Sequence, residues 1–226
     1  MQSDYLRACL FSGGKDSTLA LHKMHEQDKD VELLITMVSE NDFSYMFHKP
    51  NINLSSMQAE ALQIRQIIYQ TKGEKERELD DIEKALKENK VTELVTGAVA
   101  SVYQKDRIEK ICEKLSITAI SPIWHIDPIE ELTELAENYN VIVTQIAAEG
   151  FDESFLGAQI NEEMIKKLKK INEKYRINML FEGGEAESFV LDAPLFKKKI
   201  VITKSHKEWL GSVGKYLIDE AHLTDR

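Results

Sequence analysis

The chain has 226 residues, 42% of them hydrophobic and 30% charged, a balance that fits one or two folded domains and excludes a disordered chain. Asp and Glu number 39 against 29 Lys and Arg, and the resulting net charge of -10 disfavours a direct nucleic-acid target. No apolar run approaches the ~20 residues of a membrane span, residues 1–7 do not read as a signal peptide, and Cys9 and Cys112 form neither a disulfide framework nor a CxxC pair, so a soluble cytoplasmic protein is expected.

Residues 6–11 form a short apolar run ending at Ser12-Gly13-Gly14, which predicts a buried strand leaving through a turn. Residues 15–28 predict a helix and 31–38 a second strand. Residues 55–65 predict a helix with Ser56 as its cap, and 67–71 a further strand. Leu79, Ile82 and Leu86 fall at helical spacing within the charged stretch 74–89. Residues 94–97 read as a strand, Ile108, Ile111, Cys112 and Leu115 mark one face of a helix, and 118–121 read as a strand again. This alternation predicts an α/β fold with a parallel sheet covered by helices. Pro122 and Pro128 bracket the candidate junction, giving domains 1–122 and 123–226, the second smaller and of α+β type. Beyond it, Ile129, Leu132, Ala136 and Tyr139 predict a helix, 141–147 a strand, and Met164, Leu168, Ile171 and Tyr175 a helix. Residues 185–191 and 198–203 read as antiparallel strands, and the tail from His206 as helical.

The strongest local signal is Ser12-Gly13-Gly14-Lys15-Asp16-Ser17, between the first strand and the first helix. Ligands of open α/β sheets bind beyond the carboxyl ends of the strands, where this turn falls. Adjacent glycines let backbone N–H groups approach an anion, and the following helix start adds unpaired N–H groups and partial positive charge. Lys15 contributes a full charge, and Ser12 and Ser17 contribute hydroxyls, so the string reads as a phosphate cradle. It is not a Walker A loop, because Asp16 follows Gly14-Lys15 where Ser or Thr is needed. The competing reading is an ordinary Gly-Gly turn beside a surface lysine.

The string SGGKDS resembles the PP-loop of the N-type ATP pyrophosphatases, which split ATP between its α and β phosphates. The resemblance implies an adenine nucleotide alpha hydrolase-like fold, with Ser12, Gly13, Gly14, Lys15, Asp16 and Ser17 on the phosphates. It also implies Asp16 as a Mg²⁺ ligand and adenine near Phe11, Met37 and Val38. Two longer strings narrow the likeness: residues 97–109, GAVASVYQKDRIE, and residues 182–196, EGGEAESFVLDAPLF. Together with Met46-Phe47-His48 they resemble the diphthine–ammonia ligase family, including its archaeal members, over nearly the whole chain. Val102 departs from the polar residue expected there, and Ser188 replaces Thr while keeping a hydroxyl.

That resemblance implies an enzyme that amidates diphthine, a modified histidine of translation elongation factor 2, to diphthamide, consuming ATP and ammonium and releasing AMP and pyrophosphate. A carboxylate is a poor electrophile. Adenylation gives it a leaving group, and the oxyanion formed on attack by ammonia needs donors nearby.

Read without the family, Glu182, Glu185, Glu187 and Asp192 cluster around a Gly-Gly turn, where carboxylates can bind ammonium, take its proton or hold Mg²⁺. A solvated acidic hairpin is the alternative. With the resemblance, Glu185 and Glu187 are the expected catalytic carboxylates. Gly97 follows a strand, so its backbone can approach the nucleotide. Tyr103 and Gln104 join the nucleotide-site candidates, and Arg107 is a candidate phosphate or carboxylate clamp, a surface salt bridge being its alternative. His48, in the long loop 41–54, is a candidate base or a packed loop histidine. Cys9 and Cys112 read as core, Trp124 and Trp209 as packing residues, the lysines at 166–170 as a solvated helix face and those at 197–199 as a strand edge, with contact to a ribosomal or factor surface as the minor alternative for either. The alternatives for the whole chain are a tRNA-modifying PP-loop enzyme and a nucleotide-binding sensor without turnover. A homodimer is compatible with the sequence, which does not fix the assembly.

Overall fold

The computed structural model describes residues 5–39, 50–72 and 77–226. Five strands, β1 (Arg7–Leu10), β2 (Leu33–Ser39), β3 (Arg65–Thr71), β4 (Glu93–Val95) and β5 (Thr118–Ile120), form a parallel sheet in the order β3-β2-β1-β4-β5. Helices α1 (Lys15–His25), α2 (Ser55–Leu62), α3 (Arg77–Glu88) and α4 (Val102–Leu115) make the crossovers. Parallel neighbours need such crossovers, and the helices bury both sheet faces. Alternation along β2 shows this directly. Leu33, Ile35 and Met37 pack with Ile82, Leu86 and Ile108 of α3 and α4, whereas Leu34 faces the opposite core with Leu19 and Met24 of α1.

That opposite core is continuous with a second, four-stranded sheet. Its strands are β6 (Asn140–Ile146), β7 (Ala186–Asp192), β8 (Lys198–Leu210) and β9 (Val213–Asp225), in the order β7-β6-β9-β8, and the pairs are antiparallel. Helices α5 (Pro128–Asn138) and α6 (Glu162–Tyr175) pack with it. Asp127 caps α5 by accepting from the N–H groups of Ile129 and Glu130, with Pro128 in the first turn. Val141, Leu168 and Phe189 share one buried cluster with Cys9, Leu19 and Val95 of the first layer, so no solvent separates the two sheets there.

Two local expectations are corrected. The tail from His206 is not helical: β8 and β9 run antiparallel, turning at Gly211, whose φ is +63°. Ser56 does not cap α2. Its hydroxyl donates to Asn53 O, and α2 ends at Leu62, because Gln63 takes a left-handed φ of +58° and releases the chain into β3.

Candidate active site

The sheet order reverses direction between β1 and β4, the point at which open α/β sheets leave a crevice beyond their carboxyl ends. A cleft opens there. From β1 onward it is lined by Phe11, Ser12, Gly14, Lys15, Asp16 and Ser17, from β2 by Met37, after β4 by Thr96 and Gly97, and from α4 by Gln104, Lys105 and Ile108. The second layer closes it with Phe181, Glu182, Gly183, Gly184, Glu187 and Ser188. The two strings 12–17 and 182–188, remote in sequence, therefore face each other across one space.

The geometry of the loop 12–17 is set by backbone. Gly13 has φ of +78°, and Gly14 stands at the N-cap of α1 with no side-chain cap on the helix. Ser17 and Thr18 hydroxyls donate to Gly14 O at 3.2 and 3.0 Å, which fixes the turn from behind. The uncapped start of α1 keeps the anion-binding character of a helix N-terminus. The edge of β7 holds the loop from the other side. Val190 N–H donates to Gly13 O at 3.1 Å, and Lys15 N–H donates to Ser188 Oγ at 3.1 Å. Buried Gln58 ties both together, its Nε2 donating to Gly13 O at 2.8 Å and to Val190 O at 2.7 Å. Gly97 abuts the same loop. A Cβ there would lie 2.6 Å from Ser17 N.

Lys15 is 1% exposed, and its ammonium is held between Asp16 Oδ1 and Glu131 Oε1, the latter at 3.1 Å. Burial alone would depress its pKa, but the two carboxylates outweigh burial and hold it above the ordinary lysine value. Glu131, wholly buried, is pushed up from the ordinary carboxylate range, first by burial and then by the charge of Asp16, against the pull of Lys15. The ammonium is the firmly charged partner, and the two carboxylates compete for it. Glu182 is also raised, by burial and by Asp16, although it accepts from the N–H groups of Ala100 and Ser101, both at 3.1 Å. Its carboxylate thus pins the start of α4 to the Gly183-Gly184 turn.

The structure places the other expected site residues as follows. Lys15 lines the cleft with its ammonium engaged by Glu131 and Asp16, and Lys105 also lines it, paired with Glu109 at 3.0 Å. Glu185 does not face the cleft. It folds back to accept from Asn178 N–H at 2.7 Å and Gly183 N–H at 2.8 Å, fastening the turn. Arg107 lies over the Tyr103 ring at 4.0 Å, beside a shallow depression formed with Leu79 and Lys110. One residue along a helix is a rotation of about 100°, so Gln104, Lys105 and Ile108 face the cleft while Tyr103 and Arg107 turn aside. Val38 lies buried outside the lining, and Gly13 sits behind the loop. Met46, Phe47 and His48 lie outside the described residues. The residues that sequence reasoning passed over are Gln58, Lys105, Glu131 and Phe181. None had a local signal: Glu131 lies 116 positions from the lysine that it holds.

For Mg²⁺, the donor set is of the right kind. Asp16 presents a carboxylate, 27% exposed, with Glu182 nearby, and hard cations take oxygen ligands. Among the described residues no three His, Cys, Asp or Glu side chains form a ready-made cage.

Comparison with known proteins follows the same division. Residues 6–119 match the family model of the diphthamide synthase N-terminal domain, and residues 127–224 that of the diphthamide synthase C-terminal domain. Diphthine–ammonia ligase of Mus musculus is 31% identical over 222 residues, covering 88% of this chain and 83% of that protein. That of Homo sapiens is 29% identical over 248 residues, covering 97% and 92%. A crystal structure described as a predicted subunit of tRNA methyltransferase from Methanocaldococcus jannaschii is similar at a TM-score of 0.45 and 15% identity, covering 84% of this chain and 98% of that one. With both halves of the family model matched in one chain, this protein belongs to the diphthamide synthase family, whose curated relatives are named diphthine–ammonia ligase.

Proposed function

We propose that this protein is an ATP-dependent amide ligase that converts diphthine on translation elongation factor 2 to diphthamide. The observation that carries the reading is the single cleft in which the loop 12–17 faces Glu182, Glu187 and Ser188. The match of both domain models to the diphthamide synthase family supports the substrate class.

In this reading the triphosphate lies along Ser12, Gly14, Asp16 and Ser17, against the start of α1, with Phe11, Met37 and Gly97 around the adenosine. A carboxylate oxygen of diphthine attacks the α-phosphorus, and the bond from that phosphorus to the bridging oxygen of pyrophosphate breaks. The nitrogen of ammonia then attacks the carbonyl carbon of the mixed anhydride. AMP leaves with the electron pair of the C–O bond, and a proton is shed to form the amide. Glu187, on the β7 edge of the cleft, is placed to bind the ammonium or to accept that proton. Glu185 acts one step removed, by holding the turn that carries Glu182 and leads into β7 and Glu187.

Mg²⁺ suits the charge of the site. The lining carries Lys15 and Lys105 against Asp16, Glu182 and Glu187, a deficit of positive charge where a polyanion must bind. Mg²⁺ held by one or two carboxylates and the substrate phosphates is the usual solution. We place the activity in the cytoplasm, with its protein substrate. Among the described residues no helix is long and apolar enough to cross a membrane.

The test is AMP release from α-labelled ATP. AMP formed only when ammonium and the diphthine-bearing factor are both present supports the ligase. AMP formed with tRNA in place of the factor, or tight ATP binding with no AMP under any condition, refutes it.

A further inference from the structure

The ion cluster behind the phosphate loop contains a residue that the chemistry above leaves unused. Glu131 sits in the first turn of α5 and is wholly buried. Its Oε1 lies 3.1 Å from Lys15 Nζ, and that same ammonium is bound to Asp16 Oδ1 and lies 5.8 Å from the centroid of the Phe181 ring. Of the three charged side chains only Asp16 reaches the surface appreciably, at 27% against 1% for Lys15 and 0% for Glu131. The second oxygen of Glu131, Oε2, is buried with no hydrogen-bond partner.

As a device for stability this is a poor one. A buried carboxylate with one oxygen unsatisfied carries a desolvation cost that a single ion pair offsets only in part, and an apolar side chain of like volume would avoid it. What the cluster provides is placement. Lys15 and Asp16 are consecutive in α1, and consecutive helical residues diverge by about 100°. For one to hold the other, the lysine head must be anchored from outside the helix, and Glu131 is that anchor.

We infer that Glu131 is a positioning residue for Asp16. From α5 it pins the Lys15 ammonium, the pinned ammonium fixes the Asp16 carboxylate at the cleft, and the second layer is thereby set against the phosphate loop.

Glu131→Gln tests this, because it keeps the volume and the acceptor oxygen and removes the charge. In ligand-free crystals of the folded variant, the Asp16 carboxylate is expected to leave its wild-type position or to split between two. By calorimetry, the ATP dissociation constant is expected to rise about tenfold in Glu131→Gln and in Lys15→Met, the loss of one charge-assisted contact. The double variant is expected to be no weaker than Lys15→Met alone, since without the ammonium Glu131 only repels Asp16. A merely structural glutamate would instead weaken ATP binding in step with melting temperature and additively with Lys15→Met. If Glu131→Gln fails to fold, Glu131→Asp, which keeps the charge but draws it back by one methylene while Lys15 stays in place, is expected to fold yet show a displaced Asp16. An unmoved Asp16, or wild-type ATP affinity, in any of these folded variants overturns the inference. The ATP measurement rests on the function proposed above, but the crystallographic one does not. A displaced Asp16 together with a wild-type protein that binds no ATP would sink that function and leave the positioning role standing.

Discussion

Gly97→Ala probes the approach of the first layer to its own phosphate loop. The added Cβ would lie 2.6 Å from Ser17 N, 2.7 Å from Asp16 C and 2.9 Å from Asp16 O. All three atoms are backbone in the first turn of α1, so no flexible side chain can swing away. Ordinary carbon contacts begin near 3.5 Å, and relieving the shortest overlap demands a shift of roughly 0.9 Å between the 96–98 segment and the loop. Overpacking of this kind costs about 1–3 kcal/mol. For a chain of this size that is a melting-temperature loss between about 2 and 12 °C. The functional loss should be larger in proportion. The shift is concentrated on the atoms proposed to hold phosphate, and a misplacement near 1 Å can cost on the order of 100-fold in rate. The assay is AMP release alongside calorimetric melting and ATP titration. A folded Gly97→Ala protein with wild-type ATP affinity and turnover would refute the close approach and, with it, the placing of nucleotide between Gly97 and the loop.

Glu187→Ala is expected to leave ATP affinity within about twofold while lowering amide formation by 10²-fold or more, the usual scale of a lost acid–base group; loss of ATP affinity instead would put Glu187 on the nucleotide. Glu185→Ala should destabilise by roughly 1–2 kcal/mol in urea unfolding, since the part-buried Asn178 N–H loses a charged acceptor while the exposed Gly183 N–H turns to water, and normal stability with lost activity would return Glu185 to the chemistry. Arg107→Ala should keep turnover within about twofold, because one rotated helical residue removes its side chain from the cleft; a large rise in ATP KM would reverse that placement. His22 is buried against Tyr139 and accepts from Leu195 N–H at 3.3 Å, and burial, aided by the charges of His25 and Lys23, lowers its pKa to about 4. The unfolded chain therefore takes the proton first. The stability from His22 is whole above about pH 6.5 and is lost as pH falls towards 4, by up to about 3 kcal/mol. Urea midpoints of wild type and His22→Gln should diverge across that window, and parallel curves would refute the assignment.

The parallel layer was legible because each strand–helix unit carries its own signal: apolar run, turn residues, 3.6-residue period. The loop 12–17 was legible because it is a contiguous string between a strand and a helix, although the side chains that hold it, Gln58, Glu131 and Ser188, come from distant elements. The tail misled because Lys, Glu, Leu and His in residues 206–223 have fair helical propensity. Its strand state is imposed from outside, by a ladder running from Lys198–Asp225 to Leu210–Val213 and by the pairing of Gln145 and Ile146 with Lys215 and Gly214. Glu185 differs from its expected catalytic role for a local reason: the strand expected from 185 begins at Ala186, and Glu185 is spent on the turn before it. Glu131 and Gln58 had no sequence signal, because a side-chain contact between distant elements leaves no periodic trace.

The electrostatics of the cleft follow from one structural fact, the withdrawal of Lys15 into the pair with Glu131. Had the lysine been free, the loop would attract any polyanion. With it engaged, the attraction left at the loop comes from backbone N–H groups, hydroxyls and the start of α1, all short-ranged. The surrounding carboxylates of Asp16, Glu182 and Glu187 repel bare phosphate. On the proposed function this sign pattern is useful. A triphosphate that arrives with its cation meets Asp16 as a ligand rather than as an opponent, whereas free phosphate and nucleic acid meet mostly repulsion. On that function the acidity of the chain, which at the level of composition only disfavours nucleic acid, becomes at the site a means of selecting the cation-bound form of the nucleotide.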